Sequence, residues 1–168
     1  ETRIGIFGIN PGRFGAGVTG VPFTDPLKLA EICNIDNPFH KRKEPSSDFV
    51  YDVIAQWGFV EDFYRKFFIS SLCPLGFTKD GNNYNYYDSK DLLEVGKKYI
   101  IERMSEQLDF GLSRKVAYCL GKGTNYKIFV QLNKENNWFD IIVPLPHPRW
   151  VIQYNRKKYQ FYIDSYFC

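Results

Sequence analysis

Metal-binding and disulfide signatures are missing from this sequence. Its four cysteines, Cys33, Cys73, Cys119 and Cys168, are scattered, and no C-x-x-C pair occurs. A zinc site or a small disulfide framework needs clustered or regularly spaced cysteines, so neither is expected, and buried free thiols in a reducing compartment are. The spacings do not match an iron–sulfur ligand set either. Long hydrophobic runs are also lacking. No apolar stretch reaches the ~18 residues that would cross a bilayer, and no signal peptide opens the chain. Charge of one sign is scarce: 22 basic against 19 acidic residues leave a net +3, far from a histone-like coat. The phosphate-loop pattern G-x-x-x-x-G-K-[ST] is absent, so nucleotide phosphates are not specifically signalled.

What is present is a single-domain length, 168 residues of which 44% are hydrophobic, enough to bury a substantial core. One domain spanning residues 1–168 is expected. The chain begins at Glu1 without Met and ends inside an amphipathic pattern over 159–168, so both ends read as cuts in a longer protein. Aromatic residues are abundant, with 15 Phe and 12 Tyr. Most such rings belong to a core, and a few are candidates for stacking on a planar ligand. The basic residues gather in two runs, 40–43 and Arg149 with 156–158. A charge run is usually a solvated face, but the second lies beside the chemical motifs below.

Four short apolar runs bounded by Gly or Pro read as buried strands: 4–9, 67–71, 116–120 and 141–145. Between them, helical spacing predicts helices over 25–35, 47–57, 88–108, 123–132 and 155–167, the second opening on a Ser46-Ser47-Asp48 cap. Residues 37–46 and 78–87 read as loops, with the second, carrying Gly81-Asn82-Asn83, expected to be the more mobile. Strands alternating with helices predict a three-layer α/β/α sandwich around a mainly parallel sheet of about four strands. In such sheets the ligand crevice lies beyond the carboxyl ends of the strands.

Two of the segments leaving those ends are unusual. Residues 8–23 hold five glycines and two prolines in sixteen positions, a loop in which backbone approaches a ligand closely while proline stiffens the turns. It presents Asn10 and Phe23, although Asn10-Pro11-Gly12 also suits a plain turn. The second segment, Pro146-His147-Pro148-Arg149-Trp150, places one of only two histidines between prolines at a strand end. A lone His is more often structural than catalytic. Held there, however, its imidazole would donate a hydrogen bond to an oxygen that gains charge. An amide such as Asn10 orients water without being a strong base, which points to a dissociative reaction.

These residues resemble a known superfamily. Gly8-Ile9-Asn10-Pro11-Gly12 followed by Thr19-Gly20-Val21-Pro22-Phe23 is similar to the first motif of the single-strand-selective monofunctional uracil-DNA glycosylases, within the uracil-DNA glycosylase superfamily. Pro146-His147-Pro148 resembles the superfamily's second motif, and Phe68-Ile69-Ser70-Ser71-Leu72-Cys73-Pro74-Leu75 resembles the base-reading strand between them. The resemblance implies a monofunctional, base-flipping DNA glycosylase that needs no cofactor or metal and acts on single- or double-stranded DNA carrying a deaminated base. It implies that Asn10 positions the water and that His147 donates to O2 of the departing base. Phe23 would stack on that base, with Ile9, Gly12, Gly15, Ala16 and Ser71 around it. Arg13, Arg149 and Lys157 would contact DNA. A monomer working in the cytoplasm, at the nucleoid in a bacterium, is the matching expectation.

Two departures from the family pattern affect specificity. Ser71 stands where the relatives carry an Asn that reads the Watson–Crick edge, so base discrimination should loosen toward xanthine or hypoxanthine. After His147 the relatives continue with a Ser-Pro-Arg wedge; here Arg149 follows Pro148 directly. Arg149 either contacts phosphate or fills the gap left by the flipped base, and Trp150 is either core or wedge. Poor duplex opening would favour single-stranded or mismatched substrates. A catalytically silent domain for damaged or single-stranded DNA is the alternative, and a nucleoside hydrolase a third reading.

Overall fold

We describe residues 2–167 of the protein in a computed structural model. The strands among them are β1 (Arg3–Gly8), β2 (Phe67–Ser71), β3 (Phe77–Lys79), β4 (Asn82–Tyr84), β5 (Leu112–Leu120) and β6 (Ile141–Leu145). The helices are α1 (Ala16–Thr19), α2 (Pro26–Glu31), α3 (Pro45–Trp57), α4 (Val60–Lys66), α5 (Lys90–Asp109), α6 (Thr124–Asn136), α7 (Pro148–Tyr154) and α8 (Tyr159–Asp164), with a 3-10 turn at Arg156–Lys158 before α8. Strands β2-β1-β5-β6 form a four-stranded sheet in that order, and every pairing is parallel. The expected three-layer sandwich is the observed one.

Alternation along the strands divides the core, because successive side chains point to opposite faces. Phe7, Ala117, Cys119 and Ile142 face one way and pack with Ile100 and Met104 of α5 and Phe129 and Leu132 of α6. Ile6, Ile69, Leu120 and Leu145 face the other way, onto Val50, Tyr51 and Ile54 of α3 and Phe63 of α4. A further layer joins Phe49 and Val53 of α3 to Val151 of α7 and Ile163 of α8. Fully burying one such side chain contributes about 1.5–3 kcal/mol, so both sheet faces are firmly anchored.

Several boundaries differ from the sequence reading, each for a physical reason. Helix α3 starts at Pro45 with Glu44 as N-cap, so Ser46 and Ser47 lie inside the helix, buried, instead of capping it. Proline suits the first helical position, where no N–H is required. Helix α2 is shorter than its apolar pattern and is capped by Asp25, whose Oδ1 accepts from the N–H groups of Leu27 (3.0 Å) and Lys28 (2.9 Å). Helix α4 has no counterpart in the sequence reading, its seven residues being too short for a clear period. The expected last helix, 155–167, is interrupted by the 3-10 turn, and α7 forms where a loop was expected.

The segment read as a mobile loop holds a β-hairpin. Strands β3 and β4 pair antiparallel, with Asp80 (φ 50°) and Gly81 (φ 71°) both left-handed at the turn. An Asp-Gly pair suits that two-residue connection because both positions need positive φ. Another local pattern is spelled without its usual structure. Gly15-Ala16-Gly17-Val18-Thr19-Gly20 reads G-x-G-x-x-G, yet a dinucleotide fingerprint opens a long helix directly after a strand. Here the letters make up the four-residue α1 and its two caps. Of the cysteines, Cys73 and Cys119 are buried free thiols and Cys33 is half-buried, while Cys168 lies outside the described residues. No helix among them is long and apolar enough to cross a membrane.

Candidate active site

Asn10 leaves the carboxyl end of β1, where pairing with the β2 side continues past the strand through Leu72 N–H to Gly8 O (2.9 Å) and Cys73 N–H to Ile9 O (3.1 Å). Its side chain is then held at both ends by the backbone after β4. The Nδ2 donates to Tyr84 O (3.2 Å), and Oδ1 accepts from Tyr86 N–H (3.3 Å). These two bonds distinguish the amide oxygen from the nitrogen, leaving one N–H and one lone pair free for the cleft. Behind them, the fully buried Tyr86 donates its hydroxyl to Asn125 Oδ1 (2.8 Å), and Asn125 Nδ2 donates to Gly8 O (3.3 Å). Burial pushes the Tyr86 phenol well above its ordinary pKa, so it stays a neutral donor. The hairpin, β1 and the start of α6 are thus tied together around Asn10.

His147 follows β6 and is the N-cap of α7. Its Nδ1 accepts from the Arg149 N–H (3.1 Å), satisfying one of the orphan donors at the helix start. Burial first, and the Arg149 charge second, lower its pKa to about 4. At neutral pH the ring is therefore uncharged, and since Nδ1 is the acceptor, Nε2 carries the proton. The surroundings of this loop are equally constrained. Tyr166 donates its hydroxyl to Pro146 O, and a Cβ at Gly121, whose φ is 112°, would lie 3.8 Å from the His147 side chain.

Phe23 neighbours the imidazole and lines the same cleft as Asn10. Its φ of 53° is left-handed, an uncommon conformation for a bulky residue, and is held by a dense local network. The Thr19 hydroxyl donates to Thr24 O (2.7 Å) and accepts from Val21 N–H (3.1 Å), while Thr24 donates to Pro22 O (3.1 Å). A Cβ at Gly8 would sit 2.8 Å from the Phe23 ring, so only glycine at that strand end admits the ring. The ring centroid is 6.1 Å from that of His147, tilted by 57°. Ser71 is buried at the end of β2, in register with Gly8, and its hydroxyl makes no hydrogen bond with any described residue, which leaves it for a ligand.

Asn10, His147, Phe23 and Ser71 line one cleft of about 730 Å³, together with Ile9, Gly12, Ala16 and Arg149. That volume suits a drug-sized or nucleoside-sized group. Gly15 is buried at its edge, beneath the Glu44 carboxylate. Two residues assigned to DNA from sequence are not on the cleft wall. The Arg13 guanidinium lies over Phe14 (4.4 Å), which Arg42 also covers (3.5 Å), and Lys157 is exposed on the 3-10 turn. Among the described residues, no group of three or more His, Cys, Asp or Glu stands ready to hold a metal ion.

The cleft also contains residues the sequence reading missed. Glu44 is its only carboxylate among the described residues, and Tyr87, Lys122 and Asn125 share the wall. Burial, then the Asp25 carboxylate, raise the Glu44 pKa, with Arg149 opposing. Nothing in the stretch 37–46, read as a loop, marked Glu44; the Asp80-Gly81 pair was the one available sign that a hairpin would reach Asn10. Trp150 and Tyr154, 45% and 70% exposed, stand four residues apart on α7 and line the cleft rim. Of the two readings of Trp150, core or wedge, its exposure excludes the core.

A parallel-sheet sandwich with an amide and a neutral imidazole across a base-sized cleft at its strand ends defines a class of nucleoside-bond hydrolases. Comparison with known proteins agrees. The family model described as "Uracil DNA glycosylase superfamily" matches residues 1–167. The crystal structure of wild-type SMUG2 from Pedobacter heparinus superposes with a TM-score of 0.94 at 46% identity, over 99% of this chain and 73% of that one. No curated protein matches. The chain belongs to the uracil DNA glycosylase superfamily. It is a DNA glycosylase, a hydrolase of the uracil-DNA glycosylase type.

Proposed function

We propose that the cleft receives an extruded deaminated base, uracil or xanthine, and that Asn10 and His147 hydrolyse its N-glycosidic bond as a first step of base-excision repair. The observation that carries this reading is the use of His147 Nδ1 by its own helix, which leaves a neutral imidazole with an Nε2–H donor. The base stacks on Phe23, bordered by Ile9, Gly12, Gly15 and Ala16, and its O2 accepts from His147. As the bond breaks, its electron pair passes into the base, and the charge that develops on O2 is met by a donor already in position. Asn10 holds a water toward C1′, which becomes cationic. The water oxygen bonds to C1′ and releases a proton to solvent, and the departed base takes up a proton from solvent.

Ser71 supplies one hydroxyl to the base edge, able to donate or accept, which suits two bases of different hydrogen-bond pattern. Arg149 and Lys122 on the cleft wall suit the phosphates flanking the extruded nucleotide; Arg13 and Lys157 belong to the outer DNA track. Trp150 and Tyr154 offer flat faces on which neighbouring unpaired bases stack, favouring single-stranded substrates. The test is release of uracil, xanthine and hypoxanthine by purified protein from single- and double-stranded oligonucleotides. Release of uracil and xanthine, faster from single strands, is expected. No release of either base from any substrate would sink the reading.

A further inference from the structure

The reaction described above leaves the cleft's one carboxyl among the described residues, that of Glu44, without a role. Its position is built from three sides. As the N-cap of α3, Glu44 is where a side chain ordinarily turns back to satisfy the helix N–H groups, yet it makes no such bond. Its backbone N–H is instead fixed by Asp25 Oδ2 (3.0 Å), the same buried carboxylate that caps α2. The side chain runs outward over the first loop. A Cβ at Gly12 would lie 2.8 Å from Glu44 Oε1, and one at Gly15 would fall inside the shell of Oε2. Those two glycines therefore make the space the carboxyl occupies. It forms no hydrogen bond or ion pair with any described residue.

The groups facing it are Asp25 from the α2 cap and Arg149 from α7. A second carboxylate nearby and partial burial both favour the protonated acid over the anion, and Arg149 favours the anion. A carboxyl in this setting keeps its proton to higher pH than a solvated one, which suits it to act as an acid.

We propose that Glu44 is the acid that protonates N7 of a deaminated purine in the cleft, making xanthine a substrate read at two points. The inference rests on the base-excision reading above, in which Gly12, Gly15 and Ala16 border the base, and it puts them on the side remote from O2. A uracil presents only C5–H on that side. Xanthine presents the imidazole ring with N7, a lone-pair acceptor, while its O2 remains available to His147. In the step, the Glu44 O–H proton passes to N7 and the C1′–N9 electron pair passes into the ring. The base leaves protonated at N7, water adds to C1′ and loses its proton to solvent, and solvent returns a proton to Glu44. Hypoxanthine offers N7 without O2 and is expected to be released more slowly than xanthine.

The experiment is single-turnover base release from single-stranded oligonucleotides carrying uracil, xanthine or 7-deazaxanthine, with wild type and Glu44→Gln. Gln keeps the size and a hydrogen bond donor but has no acidic proton. Glu44→Gln is expected to slow xanthine release by roughly 100-fold and to leave uracil release within about threefold, the range of general-acid removal against a bystander. Uracil release also reports that the variant is folded. On 7-deazaxanthine, where N7 is carbon, wild type is expected to be slow and Glu44→Gln no slower still. Equal slowing on uracil and xanthine would overturn the proposal, as would a further loss on the deaza base or a wild type that releases uracil but never xanthine. Release of neither base overturns this proposal and the base-excision reading together.

Discussion

The two halves of the cleft are supported in opposite ways. His147 is held by its own neighbourhood: Pro148 opens α7, and the bond from Arg149 N–H spans two residues. Asn10 is held from far away, by Tyr84 and Tyr86, 74 and 76 residues along the chain, with Asn125 behind them. A locally supported group needs only a short run of the right residues. A remotely supported one needs the hairpin, β1 and α6 to arrive together, and it fails when any of them shifts. The difference predicts where distant substitutions act.

The largest effects come from removing the two groups themselves. His147→Ala withdraws the donor proposed to meet the developing charge, and single-turnover base release is expected to fall by about 100- to 1,000-fold with folding unchanged. Asn10→Ala is expected to fall at least as far; full activity of that variant would refute the water-orienting role. A subtler break of the comparison is Gly81→Val. A β-branched residue at φ 71° costs the hairpin about 1–2 kcal/mol, so base release should drop while the His147 titration, followed by NMR, stays where it was. A shifted imidazole pKa in that variant would mean the two halves are not independent.

Tyr86→Phe probes the layer behind Asn10. It leaves Asn125 Oδ1 buried without its donor, and a loss of about 1–3 kcal/mol in denaturant stability is expected. The smallest effect is that of pH. The His147 pKa, about 4 in the folded protein, lies below the reference value of 6.5. Below 6.5 the unfolded chain binds a proton that the folded one refuses, so stability present above that pH is lost as pH falls through 4. Base release from uracil should stay level down to about pH 5 and then decline as the imidazole charges. A fall centred near 6.5 would contradict a neutral His147 donor.

The parallel sheet was readable because each buried strand is a short apolar run closed by Gly or Pro, a pattern that depends on nothing far away. Asn10, Phe23 and His147 were readable for the same reason, as unusual chemistry at strand ends. Helix α4 escaped because seven residues carry too little period, and the 78–87 segment was read as loose because its strands are only three residues each. Glu44 was not readable at all. It sits in a polar stretch with no motif, and its position in the cleft comes from the Asp25 bond and from glycines at 12 and 15, about thirty residues earlier.

Local order along the chain was enough to determine the sandwich, the ends of its strands and the placing of Asn10 and His147 beyond them. Periodicity, turn chemistry and capping all act within a few residues, so they are written in the sequence itself. How far burial lowers the His147 pKa, how both ends of the Asn10 amide are held, and which carboxyl enters the cleft were decided only when distant segments packed. Those features are hydrogen bonds, burial and charge between partners that meet in three dimensions, and no spacing along the chain encodes them.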